Sequence, residues 1–208
     1  MKILFQGDSI TDMGRNREEY YDLGNGYVKY ACENLKSMYP DVEFEFINKG
    51  ISGNQLSDLI ARMDADLIDI QPDIVSVLIG INDVWSHWQE RDYLTDEEFE
   101  ARYRTVLDAI KEKTNARIMM LEPFLIYFEE RQFCREDLDP KIQVVRKLAR
   151  EYADVYIPTD GLLAAAYNNE DPQTFAEDGV HPTPKCAEII GKIYADNISK
   201  IIDKIKEK

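Results

Sequence analysis

Apolar and polar positions follow two different periods in turn along the chain, and this alternation predicts strands and helices one after another. Nearly continuous apolar runs predict buried strands at 2–6, 74–79, 117–121 and 155–157. Between 42 and 48 the period is two, because Val42, Phe44 and Phe46 are separated by acidic residues. A strand with one solvated face has this period, which favours a position at the edge of a sheet.

Apolar residues at helical spacing fill the segments between these strands. They predict helices over 26–38, 56–70, 95–113 and 140–152, a short helix near Leu162 and a terminal helix after Thr183. Thr95 and Glu98 have the spacing of a capping box, and Thr183 precedes Pro184 at a first helical position. Because strands alternate with helices, we predict an α/β fold with a five-stranded parallel sheet covered on both faces.

Length and charge limit the possible partners. The chain has 208 residues, with 25 Lys and Arg against 40 Asp and Glu, which gives a formal net charge of −15. No linker or repeat interrupts the pattern, so we predict a single domain over residues 1–208. The acidic balance argues against binding of nucleic acid or an anionic membrane, because both attract Lys and Arg. No apolar run reaches the roughly 18 residues of a membrane span.

Cysteine usage and the first residues predict a cytoplasmic protein. Cys32, Cys134 and Cys186 are odd in number and widely spaced, which favours reduced thiols over a disulfide framework. The apolar run before Asp8 is too short for a signal peptide. Neither of the two histidines lies at zinc-site spacing to a cysteine, so we expect no metal site.

The first predicted strand leads directly into residues 7–12, which read GDSITD. Parallel sheets bind ligands at the carboxyl ends of their strands, so Ser9 is placed where a nucleophile could meet a substrate. The segment lacks the Lys of a Walker loop and the second Gly of a GxSxG elbow. A turn that only caps a helix is the alternative interpretation of these residues.

Asp178 and His181 are candidate partners for Ser9. A serine becomes nucleophilic when a base takes its proton, and a histidine does this better when a carboxylate holds its tautomer and stabilises the imidazolium. The Asp-x-x-His spacing supplies both groups from one turn, and Pro182 limits the freedom of that turn. A surface pair is the alternative. His87 is a competing base, but nothing in the sequence fixes a carboxylate against it.

Two further segments follow predicted strands and could supply hydrogen-bond donors for an oxyanion. Residues 48–54 read NKGISGN, and residues 80–83 read GIND. Acyl transfer needs preorganised donors for the charge on the carbonyl oxygen. The backbone N–H groups of Ser9 and Gly53 and the side-chain amide of Asn82 would provide three. Taken separately, these segments could simply be turns that start helices.

Together these blocks resemble, in order, those of the GDSL/SGNH hydrolase family. The family name records Ser, Gly, Asn and His positions, which correspond here to Ser9, Gly53, Asn82 and His181. The matching blocks extend from residue 7 to residue 182. The resemblance implies a flavodoxin-like three-layer α/β/α fold and a serine esterase mechanism without a cofactor.

Longer strings are similar to cytoplasmic bacterial acetylxylan esterases of this family: GDSITDMGR (7–15), NKGISGN (48–54) and IGINDVW (79–85). This similarity implies removal of acetyl groups from small-molecule xylo-oligosaccharides or related sugars, and assembly into a homo-oligomer. Candidate substrate contacts are Asp8 and the aromatic side chains Trp85 and Tyr127. The aromatic rings could stack on a sugar or pack within loops.

Other functions remain compatible with the sequence. A GDSL lipase, thioesterase or lysophospholipase would use the same residues on longer acyl chains. A flavodoxin-like binding module would carry a bound nucleotide or flavin and would leave Ser9 unlabelled by a serine-directed reagent. A metal-dependent phosphatase would need a cluster of ligands, and the acidic residues of the sequence are scattered.

Overall fold

The computed structural model describes residues 1–88 and 94–206. Its centre is one sheet of five parallel strands in the order β2-β1-β3-β4-β5. The strands are β1 (Lys2–Gly7), β2 (Glu45–Asn48), β3 (Ile74–Leu78), β4 (Arg117–Leu121) and β5 (Val155–Ile157). From β1 the chain first adds β2 on one side, and it then adds β3 on the other side of β1, so the strand order reverses between β1 and β3. Parallel sheets bind ligands in the crevice at the carboxyl ends of the strands where the order reverses in this way.

Helices cover both faces of this sheet. The α-helices are α1 (Ser9–Asp12), α2 (Tyr27–Met38), α3 (Leu56–Met63), α4 (Ile81–Trp88), α5 (Asp96–Lys113), α6 (Arg135–Tyr152), α7 (Thr159–Ala166) and α8 (Pro184–Lys206). A π-helical turn (Asp64–Ile68) extends α3, and short 3-10 segments lie at Glu129–Cys134 and Pro172–Thr174. The predicted three-layer α/β/α architecture with a five-stranded parallel sheet is confirmed.

Alternate residues of each strand enter two separate cores. Ile3 and Phe5 of β1 pack with α2 and α8 on one face, while Leu4 between them packs with α3 and α5 on the other. All three side chains are fully buried. Burying a side chain of this size contributes about 1.5–3 kcal/mol, so both faces of β1 anchor the strand that carries the site at its end.

The structure corrects two predicted boundaries. β2 is the predicted edge strand, but it begins at Glu45, and because Phe46 and Ile47 are both buried, it lacks the predicted alternation of buried and solvated positions. The predicted helix at 140–152 begins at Arg135, with Pro140 inside its early turns. Leu138 is buried on the same helix as Ile142, and this packing outweighs the one backbone donor that Pro140 removes.

The predicted capping signals are present. Thr95 accepts a hydrogen bond from the backbone of Glu98, whose side chain accepts from the backbone of Thr95, and the helix they cap begins at Asp96. Each bond satisfies a donor that the first helical turn would otherwise leave unpaired.

Among the described residues, no helix combines the length and apolar character that crossing a bilayer requires.

The α2–α8 contact depends on a glycine. A Cβ atom at Gly191 would lie 2.5 Å from the Cβ of Tyr30 and 2.8 Å from the backbone nitrogen of Ala31. The two helix backbones therefore approach more closely than a side chain at this position would allow. Gly161 of α7 is the opposite case, since a Cβ atom there would meet nothing within 4 Å.

We expect Gly191→Ala to lower the free energy of unfolding by about 1–3 kcal/mol, because overpacking of a close contact costs that much. Gly161→Ala is the matched control. It should raise the free energy of unfolding by about 0.5–1 kcal/mol, because alanine favours a helix over glycine. Urea unfolding of both variants measures the difference. Equal changes of the same sign would contradict the packing described here.

Candidate active site

Ser9, His181 and Asp178 form a continuous chain of hydrogen bonds at the carboxyl edge of the sheet. The Ser9 Oγ lies 2.9 Å from the Nε2 of His181, although the two residues are 172 positions apart in sequence. The His181 Nδ1 lies 2.7 Å from the Oδ2 of Asp178. The structure therefore brings together the three residues that the sequence singled out as nucleophile, base and orienting carboxylate.

The loop that carries His181 is held from within and from a neighbouring segment. The Oδ1 of Asp178 accepts hydrogen bonds from the backbone N–H groups of Val180 at 3.0 Å and His181 at 2.8 Å. The Gly179 carbonyl accepts from the Ile126 N–H at 2.8 Å. Gly179 has a φ of +80°, and a Cβ atom there would lie 2.9 Å from the Cβ of Phe128. Only glycine suits both constraints.

The two ionisable groups of this loop shift each other's pKa. Burial acts to raise the pKa of Asp178, but hydrogen bonds from His181 and Val180 outweigh burial and hold the pKa well below its usual range. The hydrogen bond to Asp178 raises the pKa of His181 above its ordinary value, against the opposing effect of burial. Asp178 is thus an ionised carboxylate that favours the protonated form of the imidazole.

Asp8 directly precedes Ser9 and is buried in the protein interior. Its side chain is 1% exposed, and its Oδ1 accepts a hydrogen bond from the Ile10 N–H at 3.0 Å, which caps α1. Burial raises the pKa of Asp8 to about 7. Because the protein encloses the Asp8 carboxyl group, its burial disfavours direct contact with substrate, and the contact predicted for Asp8 stays a prediction.

The candidate oxyanion donors lie on adjoining segments. Asn82 is the second residue of α4, and its Nδ2 donates to the carbonyl of Asn54 at 3.0 Å. Gly53, directly before Asn54, is exposed, and the space beside it is open. One N–H of the Asn82 amide is held by Asn54, and the amide group has a second N–H that could donate to a ligand.

Arg62 joins the end of β1 to the loop that contains Gly53, a role that no sequence pattern predicts. From α3 it donates to the Gly7 carbonyl at 3.3 Å and to the side-chain oxygen of Asn54 at 2.7 Å. An arginine on an amphipathic helix is typically solvated, so only the fold reveals this contact. Arg62 therefore fixes the spacing between the two segments that carry Ser9 and Gly53.

Two more charged residues have contacts near the carboxyl edge of the sheet. No sequence pattern identifies either of them as part of the site. Arg131 donates to the Oδ2 of Asp178 at 3.3 Å. Asp83 is buried behind Asn82 and accepts from the Leu56 N–H at 3.2 Å. Burial raises the pKa of Asp83 to about 7.

The structure describes the side chain of only one of the two aromatic residues predicted to contact substrate. Tyr127 is half-exposed and directly follows Ile126, whose N–H donates to the Gly179 carbonyl, and the contact predicted between Tyr127 and substrate stays a prediction. Trp85 and the competing base His87 belong to α4, but their side chains lie outside the described part of the structure and both remain predictions. Among the side chains that the structure describes, no three His, Cys, Asp or Glu residues are grouped to hold a metal ion.

Comparisons with known proteins identify the family of this chain. The model of the GDSL-like lipase/acylhydrolase family matches residues 5–189. An acetylxylan esterase from Geobacillus stearothermophilus is 35% identical over 205 residues, which cover 95% of this chain and 93% of that protein. A structure from Parabacteroides merdae, described as a GDSL-like lipase, has a TM-score of 0.88 at 30% identity and 94% coverage of both chains.

Several solved structures belong to the Geobacillus acetylxylan esterase. One has a TM-score of 0.86 at 34% identity and covers 95% of this chain and 93% of that one. They include catalytic mutants in which a histidine, an aspartate or a serine is replaced by alanine. Because the family model and these relatives extend over nearly the whole chain, the chain belongs to the GDSL-like lipase/acylhydrolase family and is a carboxylic-ester hydrolase.

Proposed function

We propose that this hydrolase removes acetyl groups from xylo-oligosaccharides or related sugars through an acyl-enzyme on Ser9. The observation that carries the proposal is the hydrogen-bond chain from the Ser9 Oγ through His181 to Asp178. The acetylxylan esterase relative supports the choice of acyl group and substrate. Its catalytic mutants replace a serine, an aspartate and a histidine, the same three residue types.

The first half of the reaction transfers the acetyl group to the enzyme. The Ser9 Oγ attacks the ester carbonyl carbon while the Nε2 of His181 takes the hydroxyl proton. Negative charge develops on the carbonyl oxygen, which accepts hydrogen bonds from the N–H groups of Ser9 and Gly53 and from the Asn82 amide. The bond to the sugar oxygen then breaks, His181 returns its proton to that oxygen, and the sugar leaves.

The second half releases the acetyl group as acetate. A water molecule gives its proton to His181 as its oxygen attacks the carbonyl carbon of acetyl-Ser9. The bond to the Ser9 Oγ breaks, and His181 protonates that oxygen. Asp178 remains a carboxylate throughout and stabilises the imidazolium that forms in each half.

Location and assembly are part of the same proposal. We place the enzyme in the cytoplasm, where Cys32, Cys134 and Cys186, all buried free thiols, would stay reduced. We also propose a homo-oligomer, from the resemblance to the acetylxylan esterases. A lipase or lysophospholipase acting on long acyl chains is the competing function, and chain-length preference separates the two.

Labelling and chain-length preference test the nucleophile and the acyl group together. A fluorophosphonate should modify Ser9, detected by mass spectrometry, and hydrolysis should be fastest for acetyl, slower for butyryl and slowest for octanoyl esters. Ser9→Ala should lose both labelling and turnover. Ser57→Ala, a change at an exposed serine of α3, is the matched control and should keep both. Modification elsewhere would reject the mechanism, and an octanoyl preference would reject the substrate.

Asn82→Ala tests the oxyanion donors. We expect kcat to fall roughly 10²- to 10³-fold, because the lost donor stabilises charge that appears only in the transition state. KM should change little. Asn115→Ala, at an exposed asparagine beside the amino end of β4, serves as the control. Steady-state kinetics of a chromogenic acetyl ester measure both variants, and an unchanged kcat for Asn82→Ala would remove Asn82 from the mechanism.

Asp178→Asn tests the pH dependence. Catalysis needs neutral His181, so activity falls as the pH drops through the pKa of His181, which Asp178 raises. Without the carboxylate this pKa decreases, and the acid limb of the profile of kcat/KM against pH should move to lower pH. The plateau should fall roughly 10³- to 10⁴-fold. Asp69→Asn, at an exposed position before β3, should leave limb and plateau unchanged. An acid limb that stays in place would contradict the assignment.

A further inference from the structure

Arg131 contacts the same carboxylate oxygen that orients His181. Its Nη1 lies 3.3 Å from the Oδ2 of Asp178, and that oxygen also accepts from the His181 Nδ1 at 2.7 Å. The second oxygen of Asp178 is occupied by two backbone N–H groups of its own loop. Arg131 is therefore a donor to this carboxylate from a different segment of the chain.

The segment that carries Arg131 is already joined to the His181 loop. Arg131 donates its backbone N–H to the Phe128 carbonyl at 2.9 Å, and its guanidinium lies 5.9 Å from the centre of the Phe128 ring. Phe128 in turn packs where a side chain on Gly179 would collide with it. The Arg131 side chain is 24% exposed. These contacts hold the guanidinium in position before any substrate binds.

Three charged groups from three elements act on the imidazole of His181. Asp178, on the same loop, raises the pKa of His181 through its hydrogen bond and its charge, and Asp8, between β1 and α1, raises it through its charge. Arg131, from the 3-10 segment, lowers it, because a nearby cation disfavours the imidazolium. Burial of the ring acts in the same direction as Arg131.

We propose that Arg131 is a positioning residue for Asp178 and that its charge extends esterase activity to lower pH by opposing protonation of His181. This inference rests on the proposed function, since it takes His181 as the base. The guanidinium acts on the site in two ways, which substitutions can separate. Its planar set of N–H donors fixes the carboxylate, and its positive charge repels the imidazolium.

Three variants separate the charge from the donor geometry. Arg131→Gln and Arg131→Met remove the charge, so the pKa of His181 should rise by roughly half to one pH unit, as expected for a cation that contacts the same carboxylate oxygen as the imidazole in a partly solvated site. The acid limb of kcat/KM should move to higher pH by the same amount. Arg131→Lys keeps the charge, so its acid limb should stay in place while its plateau falls roughly two- to tenfold.

The measurement that does not depend on turnover is an NMR titration of the His181 imidazole. The sequence has two histidines, so His87→Gln assigns the resonances. Lys192→Gln, at an exposed lysine of α8, removes one positive charge elsewhere and should leave the titration unchanged. Thermal unfolding of each variant verifies the fold. If Arg131→Gln fails to fold, Arg131→Met, which keeps most of the aliphatic stem beside Phe128, gives the charge-free comparison.

The outcomes distinguish this inference from the proposed function. A raised His181 pKa in the Gln and Met variants, with wild-type titration in the Lys variant, supports the role of Arg131. Wild-type titration in the Gln and Met variants, or an equal shift in Lys192→Gln, overturns it. Failure of a fluorophosphonate to label Ser9 in the wild-type protein would instead overturn the proposed function, whatever the titration shows.

Discussion

The 2.9 Å contact between Ser9 and His181 is the constraint on which the site depends. Local structure alone cannot produce this contact, because Ser9 follows the first strand of the chain and His181 comes after the last strand. It exists because five parallel strands end at one edge, with β1 inside the sheet and anchored on both faces. The Asp178–His181 loop reaches that edge through its bond to Ile126 and through α8, which begins at Pro184 and packs against α2.

Three carboxyl groups near this contact differ because their environments differ. Asp178 accepts four hydrogen bonds, so it stays ionised despite partial burial. Burial dominates for Asp8 and Asp83, and each has a pKa raised to about 7. Near neutral pH these two buried carboxyl groups together therefore carry less than two full negative charges. In the mechanism that we propose, less negative charge next to Ser9 opposes the developing oxyanion less strongly.

Local sequence patterns were sufficient to predict those secondary-structure elements that depend mainly on interactions within a short segment. β4, β5 and the capping box at Thr95 agree with the predicted elements, because periodicity and capping are properties of short segments. The early start of α6 could not be predicted, since Pro140 normally marks a boundary and only packing shows otherwise. The family motif singles out Ser9, Asp178 and His181, and the structure brings these three residues together. The motif gave no indication of Arg62 or Arg131, whose partners lie far away in sequence.

The position of the His181 loop also bears on how the protein is made. Ribosomal synthesis proceeds from the amino terminus, so the segment with Ser9 emerges early, whereas Asp178 and His181 follow only after β5. A nascent chain that has exposed its serine still lacks the base that would activate it. In the mechanism that we propose, activation of Ser9 therefore has to wait for translation of residue 181, whose ring nitrogen lies 2.9 Å from the Ser9 Oγ. Truncated translation products that end before that residue would lack the base on which the proposed mechanism depends.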